Sequence, residues 1–244
     1  MRSLLFALLC CALPHPAWAG AIAVLYFDNQ GNPDLEPLRV GLTQMVVTDL
    51  AADPKLTIVE RTRIQEILDE LKLGHSGRVD PATSAKIGRL VGAEYLVLGT
   101  YFELGGTLRI DARVVRVETG EVVVGAGRSG SVDELFSIEK SISGILAAGL
   151  DATIAGNIME VPTPSPAPTR KADEPTRVGR TVQPPAEGAI ARKADPVAAT
   201  MALSRGLVAL DAKDQDGARS AFEAALDADP DLDTAKIELS KMAP

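Results

Sequence analysis

Cysteine is almost missing from this chain. There are two, Cys10 and Cys11, and both fall in an apolar stretch at the N-terminus. If that stretch is removed, the mature protein has no thiol, which excludes disulfides, thiolate metal sites and a cysteine nucleophile. Histidine is equally scarce. His15 lies in the same stretch, and His75 sits in the connector Gly74-His75-Ser76-Gly77 with no second ligand near it in sequence, so neither a zinc site nor a catalytic triad is expected. Aromatics are few, with one Trp, three Tyr and five Phe, so the core must be mainly aliphatic. An excess of positive charge is also lacking. Lys and Arg number 25 against 33 Asp and Glu, a net charge of −8, which leaves no electrostatic footprint for nucleic acid. Beyond the N-terminus no apolar run is long enough to span a bilayer as a helix.

The N-terminus itself is informative. Arg2 gives a small positive start, Ser3 to Leu13 is nearly all apolar, and Ala17-Trp18-Ala19 offers small residues at the spacing a signal peptidase reads. Residues 1–19 therefore read as a secretory signal peptide, and the protein as exported. Ala7-Leu8-Leu9 lacks the small residue expected just before a lipid-modified cysteine, so no lipid anchor is expected.

Composition divides the remainder into three parts. Residues 20–156 alternate strand-like and helix-like patterns, 157–196 are rich in proline and poor in large apolar residues, and 197–244 are helical in pattern. The middle part cannot bury enough surface to offset its chain entropy and reads as a linker. In the first part, the apolar run Ala21 to Phe27 predicts a buried strand, followed by a turn-rich loop at Asp28-Asn29 and Gly31-Asn32-Pro33. A helix over about 35–52, a strand at Leu56 to Val59, and helices over about 64–71 and 80–91 follow. Tyr95 to Phe102 predicts a central strand, and Gly105-Gly106 a tight hairpin. Leu108, Ile110, Ala112 and Val114 alternate with Arg109, Asp111 and Arg113, which predicts a strand with one buried face. A fifth strand begins at Glu121, and the capping box Ser131-x-x-Glu134 opens a last helix. The order β-α-β-α-α-β-β-β-α describes a single mixed-sheet α/β domain.

Beyond the linker, Gly206, Ala218, Phe222, Ala225 and Pro230 fall at the small-residue, aromatic and proline spacings of a tetratricopeptide repeat, and the segment resembles one such repeat. Ala202 and Ala209 stand where that family usually has Trp and Tyr. A lone repeat lacks a sufficient core, so it needs a partner: another subunit, a client or the main domain.

The main domain resembles the CsgG-like family, with the FlgO and TolB N-terminal domains as more distant relatives. The stretches that carry this are AIAVLYFDN (21–29), GLTQMVVTDL (41–50), IVERTRIQEILDELKL (58–73), SGRVDPATSAKIGRLVGAEYLVL (76–98) and LRIDARVVRVETGEVV (108–123). The resemblance implies a periplasmic α/β domain involved in envelope assembly or export, ring-forming in its pore-building members. Those members resemble lipoproteins and insert two amphipathic hairpins into the outer membrane. This chain has neither a credible lipid-bearing cysteine nor spare strands of the length a barrel needs.

Candidate interface or ligand residues are Asp28 and Asn29, just past the first strand where open α/β sheets bind ligands, Glu60 and Arg61 at the start of a helix, and the Arg109–Asp111–Arg113 ladder. No catalytic residue, metal ligand or cofactor site is expected. The leading reading is a non-enzymatic envelope assembly or scaffolding protein that contacts itself and an envelope or secreted client, without nucleic acid. Location in the periplasm, with peripheral association at the outer membrane, belongs to that reading. The alternatives are a periplasmic module binding a peptide or cell-wall fragment in a pocket near Asp28 and Glu60, and a subunit of a curli-type secretion channel. The signal peptide is directly testable: protein recovered from the envelope fraction should begin near Gly20 on N-terminal sequencing, and a retained Met1 would contradict export with cleavage.

Overall fold

A computed structural model describes residues 20–73, 81–156 and 194–242. The expected signal peptide, the connector with His75, the first residue of the helix expected over about 80–91 and nearly all of the linker lie outside the described residues. The elements are β1 (Ala21–Val24), β2 (Asp28–Asn29), α1 (Leu38–Ala51), β3 (Thr57–Ile58), α2 (Arg61–Glu70), α3 (Pro81–Val91), β4 (Tyr95–Leu104), β5 (Thr107–Arg116), β6 (Val122–Ser131), α4 (Leu135–Ile154), α5 (Pro196–Asp211), α6 (Gln215–Ala228) and α7 (Asp233–Lys241).

The sheet runs β3-β1-β4-β5-β6, parallel among β3, β1 and β4 and antiparallel from β4 to β6. This is the expected mixed architecture, crossovers first and a meander second. One local difference concerns Asp28 and Asn29, which pair in parallel with Thr100 and Tyr101 as the short strand β2 rather than forming only a loop. The reason is backbone satisfaction. β4 extends well past the end of β1, and Leu25 N–H to Val97 O (3.0 Å) and Gln30 N–H to Tyr101 O (2.8 Å) keep the chain bonded along that edge. A second difference is the start of α1 at Leu38, because Pro33–Leu35 forms a 3-10 turn capped by Asn32.

Register places Val24, Val97, Val114 and Val124 side by side across four strands, all buried. α4 covers that row at its β5–β6 end. A Cβ on Gly149 would come within 2.6 Å of the Val124 side chain, so only the bare backbone of glycine fits there. On the other face, Gly88 of α3 lies against Val117 and Leu96 in the same way. The Ser131–Glu134 capping box is present and starts the 3-10 turn Val132–Glu134 that leads into α4.

α5 and α6 form an antiparallel pair and α7 closes it. Asp195 caps α5 through Ala198 N–H (2.9 Å), and Asp214 caps α6 through Gly217 N–H (2.9 Å). Phe222, Ala218 and Ala225 are fully buried, and a Cβ on Gly206 would overlap the Phe222 ring. Pro230 is exposed just beyond the end of α6. The three helices are compatible with the repeat-like segment read from the sequence.

Between α1 and α4 lies an unexpected carboxylate. Glu139 is only 3% exposed, and burial, with Asp49 adding repulsion, raises its pKa to about 7; the Ser143 hydroxyl (2.7 Å) and Lys140 oppose the shift. The folded state thus holds this proton more tightly than the unfolded chain. Stability should be greatest below pH ~4.5 for this group, fall as pH rises through the window up to about 7, and level off above it. Glu139→Gln should remove that fall and stabilise the protein at pH 8 by on the order of 3 kcal/mol, read from paired denaturation series at pH 5 and pH 8. Separately, Phe222→Ala should cost about 3–5 kcal/mol and eliminate the C-terminal helical signal while the α/β domain stays folded. Circular dichroism identical to the parent protein would remove the tetratricopeptide reading.

Candidate functional site

The chain leaves β3 at Ile58, and the Val59 N–H bonds back to Ile22 O (2.8 Å), which aims the start of α2 at the end of β1. Arg61, the first residue of α2, is therefore held inside the protein at 4% exposure. Its guanidinium forks onto Asp211 at the end of α5, with Nη1 to Oδ2 at 2.7 Å and Nη2 to Oδ1 at 2.8 Å. Nη1 also donates to the Tyr26 hydroxyl (3.0 Å), which donates in turn to Gln65 Oε1 (2.8 Å), while Gln65 Nε2 reaches Asp69 (2.7 Å). Burial opposes the charge on Arg61, but the Asp211 hydrogen bonds outweigh it and the pKa is raised. Burial likewise raises Tyr26, against the pull of Arg61. Arg39, also buried, stands 5.6 Å over the Tyr26 ring and 3.0 Å from Glu36.

This cluster forms one wall of a cleft of about 440 Å³ between α1–α2 and the C-terminal helices, with Glu60, Thr62, Leu207, Gln215 and Met242 among its lining. Gln44 Nε2 donates to Glu238 Oε1 (3.2 Å) at its edge, and Lys241 pairs with the same carboxylate (3.0 Å). Next to it the Gly41 N–H, in the first turn of α1, donates to Ser204 Oγ (2.7 Å). A Cβ at position 41 would lie 2.6 Å from both Ser204 Oγ and Thr200 O, so a side chain there would push α5 away.

Of the residues singled out by sequence, Arg61 and Glu60 reach this cleft. Glu60 is exposed, and the charge partner of Arg61 is Asp211, 150 positions away. Asp28 and Asn29 do not line it. Asn29 is buried as a loop staple, accepting from Gly31 N–H (3.0 Å) and donating to Asn32 O (2.9 Å). Arg109 and Asp111 make a two-pronged ion pair on the solvent face of the sheet (2.7 and 2.6 Å), with Arg113 on the same exposed face. Tyr26, Gly41, Ser204 and Asp211 were not singled out. Tyr26 sits within an apolar strand run, and Asp211 resembles any polar residue at a helix end. Among the described residues no group of three His, Cys, Asp or Glu side chains could hold a metal ion. The chemistry of the Arg61 cluster is cohesive: its fork is engaged by Asp211 and Tyr26, so it orients one helical layer on another.

The family described as "Curli production assembly/transport component CsgG" matches residues 10–106. No curated protein matches the chain. Among solved structures, the LpoB C-terminal domain from Salmonella enterica is similar at 20% identity and TM-score 0.41, over 46% of this chain and 83% of that one. The PelC dodecamer from Paraburkholderia phytofirmans is similar at 19% identity and TM-score 0.36, over 55% and 91%. The lipoprotein GNA1162 from Neisseria meningitidis is similar at 16% identity and TM-score 0.40, over 56% and 99%. The CsgG-like resemblance of the α/β domain therefore holds, carried by the family match at residues 10–106.

Proposed function

We propose that this protein is an exported, non-enzymatic assembly or scaffolding factor of the bacterial envelope, acting by self-association and by contacts with an envelope or secreted protein, without forming a pore itself. The CsgG family match supports the envelope role. The observation that carries the exclusion of a pore is the commitment of the three long strands. Leu108, Ile110, Ala112 and Val114 are at most 5% exposed within the protein core, and the opposite face of β5 bears Arg109, Asp111 and Arg113. A barrel strand must turn an apolar face to lipid, and exposing this one would dismantle the soluble core.

One observation favours a second reading. The cleft at Glu60 and Arg61 has the size to hold a short peptide or cell-wall fragment, which would make the protein a periplasmic binding module. Light scattering on the purified mature protein separates the two: a stable multimer is expected, whereas a monomer whose melting temperature rises with added peptide or glycan would favour the binding module. Planar-bilayer or liposome recordings are expected to be silent, and reproducible stepwise conductance would restore the secretion-channel reading.

A further inference from the structure

The repeat-like C-terminal helices need a partner, and in this structure the same chain provides it, chiefly through α1, with the turn Val132–Glu134 before α4 and Arg61 at the start of α2. Polar contacts across that boundary join main-domain residues to C-terminal ones: Gly41 to Ser204, Met45 to Thr200, Gln44 to Glu238, and Arg61 to Asp211. The geometry is selective. A two-pronged guanidinium–carboxylate pair fixes orientation, and the Gly41 notch admits only a close-lying helix with a small polar side chain. None of these contacts depends on the two parts belonging to one molecule.

What connects them is long. Residues 157–193 separate Gly156 from Ala194. The two ends lie at opposite ends of the sheet: Ile154 packs beside Gly20, ahead of β1, whereas Thr200 meets Gly41 in the first turn of α1, past the far end of β1. The span to be bridged is thus about the length of the 20-residue helix α4, ~30 Å. A connector of this length can extend to at most ~130 Å, several times that span. It closes the contact within one chain, and it equally permits the helices to reach across to a neighbour.

We infer that the α1–α2 docking surface also accepts the C-terminal helical unit of a second copy, so that two chains can exchange these units reciprocally. This rests on the self-association reading and adds to it one concentration-dependent surface, separate from the contact that holds the stable multimer expected above. Exchange creates no new interface and breaks none, so the balance is set by effective concentration. A tether of this kind gives an intramolecular partner at about millimolar concentration, so the closed form dominates in dilute solution. Exchange takes over when copies are crowded to a comparable density or when the connector is too short to span.

The mature chain has no cysteine, because Cys10 and Cys11 both precede Gly20. Thr62→Cys and Gln215→Cys place two exposed thiols on opposite sides of the cleft, on α2 and α6, for bridging by a short bis-maleimide. With the natural connector at micromolar concentration, the doubly substituted chain should bridge internally and run as a monomer on a denaturing gel. With residues 161–191 deleted, the six remaining connector residues extend at most ~25 Å, and bridges should form between chains instead. An equimolar mixture of the two singly substituted full-length chains should bridge increasingly as concentration approaches millimolar. Asp211→Ala should suppress bridging in each format. Internal bridging in the shortened chain, or a mixture that never bridges at millimolar concentration, would overturn the inference. Bridging unaffected by Asp211→Ala would also overturn it, because the contact would not be the one described. Multimers seen by light scattering at millimolar concentration without any interchain bridge in the mixture would reject this surface while leaving the scaffold reading intact.

Discussion

Helix α1 has almost no face left for water. Leu38 through Val47 are all buried, including Arg39, Thr43 and Gln44, and Leu50 follows. An ordinary crossover helix buries one stripe against its sheet and leaves the other solvated. Here α4 packs on one side of α1 and α5 on another, so the helix serves as a shared wall between the sheet layer and the C-terminal unit. Its composition suits that position: Leu42, Met45 and Val46 supply apolar surface, and Gly41 lets α5 approach.

Burial on several sides brings polar groups inside, and Thr43 and Gln44 are hydrogen-bonded there, while Arg39 Nε and Nη1 have no hydrogen-bond partner among the described residues. Thr43 returns its hydroxyl to Arg39 O (2.8 Å) while accepting from Phe27 N–H (3.1 Å), which ties α1 to the end of β1. Arg61 is the costly case. Removing either member of a buried ion pair strands the other charge, whereas the intact pair gives orientation more than net stability. The Arg61–Asp211 fork is therefore best understood as a register device that selects one docking geometry for α5. Glu139 represents the opposite solution, a carboxylate that burial keeps protonated up to about neutral pH.

The two faces of the sheet divide the labour. One carries the valine row, covered by α4 at its β5–β6 end, and holds the domain together. The other, over β5, exposes the Arg109–Asp111 pair, whose mutual neutralisation makes it a polar surface rather than a strong field. For a protein proposed to work by contacts, the exposed sheet face and the α1–α2 docking surface are the two regions where partners meet named chemistry.

Short-range patterns decided much of this from sequence. Alternation at Leu108 to Val114 and the Ser131–Glu134 box each depend on residues within a few turns of one another and are realised in the structure, while the apolar run at Ala21 to Phe27 is buried throughout but forms a strand only over Ala21–Val24. The CsgG-like resemblance was legible for the same reason, as local blocks in a fixed order. The candidate site was only half legible. Arg61 stood out as a charge at a helix start, but its sequence neighbour Glu60 was the visible partner, and Asp211 was not. Gly41 looked like any helical glycine until Ser204 and Thr200 were packed against it. Periodicity reports which face of an element is apolar but carries no information on which distant element will cover it. That choice belongs to tertiary packing, where a buried guanidinium must find a carboxylate wherever in the chain it lies.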